Sequence, residues 1–308
     1  MIAVPEDPPT PSERPRTVTG PLFADLDAAR DLALAAGRDL LEGLGEAGAV
    51  DPKGGTEFVT EADRRAEKLI VRGLRDRFPG DNILTEEAGS LEADPAVSSG
   101  RTWYVDPLDG TTNYAHGYPF FGTSVGLCWR GQPLLGALAI PSFDELLWAA
   151  PRLGAWCNGR RIHVSGCERL ADALLVTGFA YDRHIRLDNN YAEFAYFTHR
   201  THGVRRGGAA AVDLAFVATG RLDGYWERGL SPWDLAAGVV LVEQAGGVVS
   251  AYDGGALKLD SGRVVAAGQR LHPQLVAGLQ ACSPLSGASF GAPELDGDDR
   301  QDPATPAP

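Results

Sequence analysis

The stretch Asp106-Pro-Leu-Asp109-Gly-Thr-Thr-Asn113 carries the densest signal in the sequence, and it directly follows the apolar run Trp103-Tyr-Val105. The apolar run predicts a strand. Because Pro107 cannot donate a hydrogen bond to a sheet ladder and Gly110 tolerates unusual dihedral angles, a tight turn is expected where that strand ends. Both aspartates then lie on the turn, where their carboxylates can converge.

Two converging carboxylates suit a hard cation. Mg²⁺ takes oxygen ligands in near-octahedral geometry and usually keeps waters and substrate phosphate oxygens. The following Gly110-Thr111-Thr112 can open a helix whose free amides would hold a phosphate, with the threonine hydroxyls orienting a water. The same residues also fit a turn in which Asp109-Gly110 makes the bend and a threonine caps a helix. The stretch alone leaves both interpretations open.

Further acids stand at predicted helix starts and strand ends. In Thr60-Glu-Ala-Asp63 and Ser231-Pro-Trp-Asp234 the aspartate comes three residues after a Thr or Ser, which is a capping-box arrangement that stabilises a helix without any ligand. Glu86-Glu87 and Glu227 each follow a strand-like run, where simple solvent exposure is the alternative. Their joint appearance with the two aspartates of the central stretch favours a single acidic site.

Other catalytic sets fit the sequence poorly. It contains no Gly-x-x-x-x-Gly-Lys-Ser/Thr loop and no Gly-x-Ser-x-Gly elbow, and its six histidines lack the His-x-x-x-His spacing of a metal site. Haloacid dehalogenase-like phosphatases use Asp-x-Asp-Gly-Thr, whereas two residues separate the acids here, so an aspartyl-phosphate mechanism is disfavoured. Arg205-Arg206 predicts a solvated or subunit-contact patch, with a phosphate contact as the alternative.

The composition indicates a folded, acidic protein. The 308 residues include 28 Lys plus Arg and 41 Asp plus Glu, for a formal net charge of −13. Hydrophobic residues make up 44% and charged residues 22%, which allows a sizeable core. An acidic chain without a Lys/Arg run repels phosphate backbones and anionic lipids, so neither a nucleic acid nor a membrane is expected as a partner.

The cellular setting is predicted from what the sequence lacks. The N-terminus has no secretory signal pattern, and no apolar run approaches the roughly 18 residues of a spanning helix. The four cysteines form no Cys-x-x-Cys pair, so neither a disulfide framework nor a zinc site is indicated. We expect a protein of the reducing cytoplasm.

The chain divides into a folded region and two tails. Residues 1–18 and 283–308 are rich in Pro, Ser, Ala, Gly and Asp and are predicted to be disordered. Within residues 19–282 we distinguish sub-halves of about 19–150 and 151–282. Helices are predicted at Leu22–Leu44 and Glu61–Phe78, followed by short strands up to residue 150, among them 82–85 and 102–105. From residue 173 onward, strands such as 174–177 and 247–250 alternate with helices, one of them Tyr191–His202. The prediction is an antiparallel-leaning N-terminal sheet and a mixed α/β second half.

Several motifs in order resemble those of the inositol monophosphatase family. The central stretch, extended to Tyr114, resembles its Asp-Pro-Leu/Ile-Asp-Gly-Thr-Thr-Asn-Phe signature. Upstream, Val59-Thr-Glu-Ala-Asp63 and Glu86-Glu87 are similar to its Val-Thr-x-x-Asp and Gly-Glu-Glu elements. Downstream, Trp233-Asp-Leu-Ala-Ala-Gly238 followed by Glu243-Gln-Ala-Gly-Gly247 is similar to its second signature. The resemblance covers roughly residues 22–282.

The sequence departs from the family pattern at four positions. Thr85 replaces the usual Gly, Tyr114 replaces Phe, and Glu57 stands where Asp is common. Ala209 lacks the hydroxyl often found at its position. None of these changes removes a metal ligand, but Ala209 falls near the substrate and leaves the identity of the substrate open.

The resemblance implies a layered α/β sandwich of αβαβα sugar-phosphatase type, a homodimer, and inhibition by Li⁺. It implies two or three Mg²⁺ ions per subunit, held by Glu86, Asp106, the Leu108 carbonyl, Asp109 and Asp234. It also implies that Glu86 and Thr111 position the attacking water while Asp63 supports the outer metal site. Substrate contacts are implied for Gly110, Thr111, Gly208, Ala209, Ala210, Glu227 and Asp234.

The implied activity is a Mg²⁺-dependent phosphomonoesterase that hydrolyses inositol monophosphate or a similar polyol phosphate. Histidinol phosphate, fructose 1,6-bisphosphate and a 3′-phosphonucleotide are alternative substrates for the same chemistry. Relatives acting on the first and third of these more often have Lys where Thr112 stands, which favours inositol phosphate. A binding or regulatory relative without catalysis is the alternative from another class.

Overall fold

The computed structural model describes residues 21–45, 50–54, 57–283 and 285. The tails predicted to be disordered, 1–18 and 283–308, lie outside these residues except for positions 283 and 285. The helices are α1 (Pro21–Glu42), α2 (Glu61–Arg77), α3 (Thr111–Ala115), α4 (Tyr191–Thr198), α5 (Ala210–Ala218), α6 (Pro232–Gln244) and α7 (His272–Ala281). The strands are β1 (Val50–Gly54), β2 (Glu57–Thr60), β3 (Asn82–Thr85), β4 (Gly89–Leu91), β5 (Arg101–Asp109), β6 (Gly122–Trp129), β7 (Gln132–Ile140), β8 (Glu145–Ala150), β9 (Gly154–Cys157), β10 (Arg160–Arg161), β11 (Leu174–Thr177), β12 (Gly203–Arg205), β13 (Gly224–Arg228), β14 (Gly247–Ser250) and β15 (Arg263–Gly268).

Residues 82–161 build an eight-stranded sheet with the order β10-β9-β8-β7-β6-β5-β3-β4, whose strands β9 and β10 come after residue 150. Only β3 and β5 pair in parallel within it, and every other neighbouring pair is antiparallel. The predicted antiparallel-leaning sheet is thereby confirmed. The parallel pair matters for the site, because the carboxyl ends of β3 and β5 meet at one edge of the sheet.

The second half builds a five-stranded sheet with the order β12-β11-β13-β15-β14. Strand β11 pairs in parallel with β12 and β13, whereas β15 is antiparallel to both β13 and β14. This mixed sheet agrees with the α/β pattern predicted for the second half. A shorter two-stranded sheet joins β1 and β2.

Helices and sheets alternate in five layers. Helices α1 and α2 contact one face of the large sheet, and α6 contacts β6, β7 and β8 from the other face. Helix α5 packs on α6 and on the smaller sheet, whose outer side is covered by α4 and α7. The layers therefore follow the order αβαβα that the resemblance implied. The largest apolar core contains residues of both halves, among them Leu138, Val212 and Tyr225.

Helix α2 is amphipathic, and its buried side reaches toward the ends of β3 and β5. Ala66, Ile70 and Leu74 are buried at four-residue spacing, as expected for the inner face of a helix. Asp63 and Glu67 are buried on the same helix. Burying two acids costs free energy unless they find polar partners. The polar partners of the two acids lie just after β3 and β5.

Helix α6 lies unusually close to the large sheet. A Cβ atom on Gly136 of β7 would be 2.5 Å from Cα of Ala237, and one on Gly126 of β6 would be 2.8 Å from Cβ of Ala236. Only glycine fits at such a close approach. The approach fixes the position of the N-terminus of α6, which carries Asp234.

Two predicted boundaries are corrected by the structure. The strand predicted to end at Val105 continues to Asp109, because the chain pairs with β6 again at the level of Gly122. The helix predicted for Tyr191–His202 ends at Thr198, and the Thr201 hydroxyl donates to the Phe197 carbonyl, a bond that satisfies a free carbonyl of the last helical turn. Residues 203–205 then form the edge strand β12.

The sequence indicated neither a disulfide framework nor a membrane-spanning helix, and the described part of the chain can be compared with both expectations. Each of the four cysteines is a free thiol there. None of the helices in the described ranges combines the length and apolar character needed to cross a bilayer.

Candidate active site

A polar cavity of about 320 Å³ opens where the two halves of the chain meet. One side is formed by the end of β5 and the segments that follow β3 and β5, and the other by the end of β13 and the segments after β11, β12 and β13. The lining residues are Glu86, Asp106, Leu108, Asp109, Gly110, Thr111, Phe179, Ala180, Tyr181, Arg206, Gly208, Ala209, Ala210, Glu227, Gly229, Leu230, Ser231, Trp233 and Asp234.

A β-bulge in β5 brings the two aspartates of the central stretch into this cavity. The register with β6 shifts between Asp106 and Asp109, and the Pro107 carbonyl accepts a hydrogen bond from the Thr123 hydroxyl at 3.0 Å. Residues three apart on a regular strand point to opposite faces, and a bulge changes that alternation. The proline therefore sits where no ladder hydrogen bond is required, and both carboxylates line one cavity.

The carboxylate of Asp109 also caps a helix from the second half. Its Oδ1 accepts from the Ala210 amide at 2.9 Å and its Oδ2 accepts from the Val212 amide at 3.1 Å. Both amides belong to the first turn of α5, where they have no partner within the helix. This contact attaches the N-terminus of α5, on the opposite side of the cavity, to the end of β5.

Gly110 makes the turn between β5 and α3 with a φ of +91°. A Cβ atom there would lie 3.0 Å from the Phe120 carbonyl oxygen and 3.1 Å from Cβ of Ala209. The left-handed conformation and the close contacts both require glycine. Thr111 follows as the first residue of α3, so the predicted helix start is confirmed.

The hydroxyl of Thr111 lies between two acceptors. It is 2.9 Å from Oδ1 of Asp63 and 3.0 Å from the Leu108 carbonyl oxygen. A hydroxyl has one proton and two lone pairs. Since the proton is used by these acceptors, the lone pairs of the Thr111 oxygen are available toward the cavity. Asp63 itself is 0% exposed and is not among the residues that line the cavity, which it reaches through Thr111.

Glu86 stands in the turn after β3, and Glu67 of α2 holds that turn in place. One carboxylate oxygen of Glu67 accepts from the amides of Glu87 at 3.2 Å and Ala88 at 3.0 Å. The Thr85 hydroxyl accepts from the Ala88 amide as well. Glu67 was not among the site residues predicted from the sequence. Its spacing of four residues from Asp63, which places both acids on one face of the helix, could have indicated a role in the site.

Asp234 is the third residue of α6 and completes a capping box. Its Oδ2 accepts from the amide of Ser231 at 2.7 Å, while the Ser231 side chain accepts from the backbone amide of Asp234. The capping role predicted for Ser231-Pro-Trp-Asp234 is therefore confirmed. Asp234 also lines the cavity, so one carboxylate serves both the helix and the site.

Glu227 is the penultimate residue of the buried strand β13, on the opposite side of the cavity. The Tyr225 hydroxyl donates to its Oε2 at 2.7 Å. Gly178, at the end of β11, faces the carboxylate so closely that a Cβ atom there would lie 2.0 Å from Oε1. The glycine makes room for the glutamate.

Asn113 links α3 to the loop that precedes α5. Its Nδ2 donates to the Phe120 carbonyl at 2.7 Å and to the Gly207 carbonyl at 3.0 Å, with the Gly208 carbonyl at 3.4 Å. The central stretch thus positions residues of the second half through Asn113 as well as through Asp109. The sequence analysis assigned no such role to Asn113, although it is the last residue of the quoted motif.

Burial and mutual repulsion make the carboxylates of the cavity hard to ionise. Desolvation, followed by the charges of Glu86, Asp109, Asp234 and Asp63, raises the pKa of Asp106 well above its usual range. Burial raises the pKa of Asp109 to about 7, although the amides of Val212 and Ala210 act in the opposite direction. Burial likewise raises the pKa of Glu227 to about 7, against the hydrogen bond from Tyr225. A cation in the cavity would relieve this repulsion.

The donor set fits Mg²⁺ by its chemistry. Four carboxylates, those of Glu86, Asp106, Asp109 and Asp234, and the Leu108 carbonyl are the hard oxygen donors that this ion prefers. Among the described residues no three His, Cys, Asp or Glu side chains form a closed ligand group. The acids instead stand around an open cavity, which suits an ion that keeps waters and substrate oxygens in its shell.

The structure brings together most residues that the sequence singled out. Every predicted metal-binding and substrate-binding residue lines the cavity, and of the predicted catalytic residues only Asp63 lies behind it. The cavity also includes residues that were not predicted as site residues, namely Phe179, Ala180, Tyr181, Arg206, Gly229, Leu230, Ser231 and Trp233. Ser231 and Trp233 flank Pro232 at the predicted helix start, and Trp233 also opens the stretch that resembles the second family signature.

Comparison with known proteins gives one consistent result. The inositol monophosphatase family profile matches residues 24–283. An inositol-1-monophosphatase from Synechocystis is 47% identical over 273 residues, which cover 88% of this chain and 94% of that protein. A protein named Nus factor SuhB from Pseudomonas aeruginosa is 42% identical over 239 residues, covering 77% of this chain and 88% of its own. The solved structure of an inositol monophosphatase from Anabaena matches with a TM-score of 0.78 and 48% identity, covering 86% of this chain and 98% of that one.

Proposed function

The chain belongs to the inositol monophosphatase family and is a phosphoric monoester hydrolase, and we propose that it hydrolyses inositol monophosphate to inositol and phosphate with Mg²⁺ bound in its acidic cavity. The observation that carries this proposal is the cavity itself. Four carboxylates face it beside Gly110 and Thr111, and Glu227 faces it from the other side. One side can hold metal and phosphate, and the other can hold a polyol.

Glu86, Asp106, the Leu108 carbonyl, Asp109 and Asp234 would hold the metal ions, two or three per subunit. When bound, such ions lower the pKa of an attacking water and stabilise the leaving alkoxide. Phosphoryl transfer requires mainly positioning and charge neutralisation, so no protein nucleophile is needed.

Thr111 and Glu86 would position the attacking water. Because the Thr111 proton is used by Asp63 or the Leu108 carbonyl, the hydroxyl oxygen can accept a hydrogen bond from that water. The amides of Gly110 and Thr111 would hold the phosphate oxygens. Asp63 acts through Thr111, which supports its assignment as a residue of the catalytic machinery that does not itself touch the substrate.

The organic part of the substrate would lie against Gly208, Ala209, Ala210 and Glu227, with Asp234 also in contact. A carboxylate that accepts hydrogen bonds favours a substrate with several hydroxyls, and the names of the relatives favour inositol. Histidinol phosphate, fructose 1,6-bisphosphate and a 3′-phosphonucleotide remain the alternatives for the same chemistry. Comparing kcat/KM for these four substrates would choose among them.

The decisive experiment measures phosphate release with and without Mg²⁺ for the wild type, Asp106→Asn and a control, Asp76→Asn. Asp76 is an exposed residue of α2 far from the cavity lining. We expect turnover only with Mg²⁺, a loss of more than a hundredfold in Asp106→Asn, and an unaffected control. Near-normal turnover in Asp106→Asn would overturn the proposed mechanism.

A regulatory role is the candidate from another class, because one of the relatives is named a Nus factor. The cavity keeps all five of its carboxylates, the four proposed to hold metal and that of Glu227, which supports catalysis instead. Absence of turnover on every phosphate ester, in protein that is shown to be folded, would favour the regulatory role.

Three further proposals follow from the family. We propose a homodimer, which light scattering of the purified protein would detect. We propose inhibition by Li⁺ in competition with Mg²⁺, which a titration at two Mg²⁺ concentrations would test. A cytoplasmic location stays a prediction, for which fractionation of the source cells is the measurement.

A further inference from the structure

The loop that joins β11 to α4, residues 178–190, begins directly beside Glu227. Strands β11 and β13 pair in parallel, and the pairing continues to the last residue of β11, which lies opposite Trp226. The next two residues, Gly178 and Glu227, face each other so closely that Gly178 has no room for a Cβ atom. Backbone pairing thus places the start of this β11–α4 loop next to the carboxylate that is proposed to bind the hydroxyls of the substrate.

Tyr181 extends the cavity wall from that point. It lines the cavity and is 48% exposed, whereas Ala180 before it is buried. A Cβ atom on Gly229 would lie 2.5 Å from Cβ of Ala180, so the segments that follow β11 and β13 touch here. An aromatic ring is a flat, largely apolar surface. A polyol ring has apolar C–H faces and hydroxyls around its edge, so Tyr181 and Glu227 together suit both parts of such a ring.

Apolar burial does not hold the middle of the β11–α4 loop in place. Ile185 is 57% exposed and Leu187 is 66% exposed, so both side chains stay largely in contact with water. The two ends of the loop are joined by Asn190, whose Nδ2 donates to the Gly178 carbonyl at 2.6 Å. The segment between these ends, which includes Tyr181, needs another support.

Arg228 supplies that support from β13. Its Nη1 donates to Oδ1 of Asp182 at 2.8 Å, and its Nη2 lies 3.0 Å and 3.1 Å from the two oxygens of the same carboxylate. Its Nε lies 3.3 Å from Oδ2 of Asp188. Arg228 is only 6% exposed, and charge-assisted contacts of this kind fix orientation as well as distance. One side chain therefore holds both the neighbour of Tyr181 and a residue near the far end of the loop.

The alternation of side chains along β13 separates this support from the cavity. Glu227 and Arg228 are neighbours in the strand, so their side chains point to opposite faces of the sheet. Trp226 lies on the same face as Arg228, and its Nε1 donates to Oδ1 of Asn190 at 2.6 Å. The strand that presents Glu227 to the cavity thus also fixes the loop that carries Tyr181.

We propose that Arg228 is a positioning residue for substrate recognition: through Asp182 and Asp188 it holds the β11–α4 loop so that Tyr181 forms the wall against which the ring of the polyol packs. This inference rests on the proposed function and deepens it, because it names what shapes the ring-binding side of the cavity. Arg228 is not among the described residues that line the cavity, so it acts through the loop.

The kinetic test compares inositol 1-phosphate with ethyl phosphate, which has no ring, in the presence of Mg²⁺. In Arg228→Gln we expect KM for inositol 1-phosphate to rise at least fivefold, with kcat for it and kcat/KM for ethyl phosphate within twofold of the wild type. Tyr181→Ala should give the same pattern, whereas Tyr181→Phe keeps the ring and should behave like the wild type. The double variant Arg228→Gln/Tyr181→Ala should be no worse than Tyr181→Ala, because both changes remove the same wall.

The matched control is Arg186→Gln. Arg186 pairs with the same carboxylate, since its Nε lies 2.6 Å from Oδ2 of Asp182, but its side chain is exposed. Exposed ion pairs contribute little, so KM should stay within twofold of the wild type. Asp182→Ala removes the main acceptor of Arg228 within the partly exposed loop, and it provides the same comparison if Arg228→Gln does not fold.

Limited digestion with trypsin tests the support of the loop independently of activity. Cleavage after Arg183 cuts the β11–α4 loop, and it requires the loop to open. We expect this cleavage, followed by mass spectrometry, to be at least tenfold faster in Arg228→Gln than in the wild type and in Arg186→Gln.

Several results would overturn the inference. Equal losses with both substrates would assign Arg228 to the catalytic acids, and an unchanged KM would show that the loop does not serve recognition. Unchanged cleavage would show that Arg228 does not hold the loop, and effects that multiply in the double variant would show that it does not act through Tyr181.

If the wild type hydrolyses neither substrate, the proposed function fails instead. The Kd of inositol 1-phosphate in the presence of Mg²⁺, measured by calorimetry, then decides the role of Arg228. At least fivefold weaker binding to Arg228→Gln supports the inference, and equal or absent binding in both proteins refutes it.

Discussion

The carboxylate of Asp109 accepts a hydrogen bond from the backbone amide of Ala210 at 2.9 Å, although 101 residues separate the two in the chain. Asp109 ends the strand that also carries Asp106, a second acid of the proposed metal site, and Ala210 begins a helix that is proposed to contact the substrate. One side chain therefore holds the two sides of the cavity at a fixed distance. Its second oxygen accepts from Val212 and strengthens the same link.

Replacing Asp109 by Ala should lower both stability and activity. The change leaves the amides of Ala210 and Val212 buried without acceptors, which costs about 2 kcal/mol in the free energy of unfolding. The measurement is urea unfolding at pH 4 in a chelating buffer. At that pH Asp109, with its pKa of about 7 in the folded chain, is uncharged there and only partly ionised in the unfolded chain, where its ordinary value of 3.8 applies, so removing the carboxyl group gains little from the change in ionisation. Phosphate release at pH 7.5 should fall more than a hundredfold; an unchanged unfolding free energy at pH 4 would show that the cap is unimportant.

Substitutions of Asn113 should lower stability and activity because the amide donor is lost, even where the size of the side chain is kept. In Asn113→Ala the carbonyls of Phe120 and Gly207 lose their donor, and we expect a loss of about 1–3 kcal/mol in stability and roughly tenfold in kcat/KM. In Asn113→Asp a carboxylate would face these carbonyl oxygens, so the damage should be at least as large despite the equal size. Urea unfolding and steady-state kinetics on the same preparations provide the comparison. An aspartate variant that behaves like the wild type would contradict this role.

Gly178→Ala should impair recognition of the polyol more than cleavage of the ester. The added methyl would occupy the place of the Glu227 carboxylate, which has to move away. We expect kcat/KM for inositol 1-phosphate to fall at least five times more than kcat/KM for p-nitrophenyl phosphate, which has no ring hydroxyls. Gly166→Ala is the control, because a Cβ atom at Gly166 meets no atom within 4 Å. A parallel fall for both substrates would place the effect on the catalytic acids instead.

Glu227 should make the metal-free protein less stable as the pH rises. Its pKa is about 7 in the folded protein against an ordinary value of 4.5, so between these values the folded chain keeps a proton that the unfolded chain releases. Stability from this group is therefore complete below pH 4.5 and is lost as the pH rises toward 7, with a total on the order of 3 kcal/mol. Urea unfolding at pH 5 and pH 8 with a chelator should show a smaller decrease for Glu227→Gln than for the wild type, by about 2 kcal/mol. The exposed Glu42→Gln serves as control and should follow the wild type.

Much of the site could be predicted from local sequence because each acid is placed by its own short motif. Asp106 and Asp109 lie where a strand meets a glycine turn, and Asp234 lies three residues after a capping serine next to a proline. These signals depend on backbone preferences within a few residues, which a sequence pattern expresses directly. The strand predictions for residues 82–85, 174–177 and 247–250 match the observed bounds for the same reason.

Other functional features could not be predicted, since they join segments that are far apart in the chain. Glu67 holds the turn of Glu86 from a separate helix, and Thr111 meets Asp63 across 48 residues. Arg206 was predicted to belong to a solvated or subunit-contact patch, with a phosphate contact as the alternative, and its exposed side chain also lines the cavity. No pattern within either segment indicates which distant segment it will meet.

The sequence by itself determined the kinds of elements, the chemistry of the acidic set and the family. The tertiary structure alone decided that Asp109 caps α5, that Gly178 makes room for Glu227, and that Arg206 lines the same cavity as the acids. The physical reason is that secondary structure follows from side-chain and backbone preferences over a few residues. Contacts between distant segments instead depend on strand order and on how closely helices pack on the sheets, which are properties of the whole folded core.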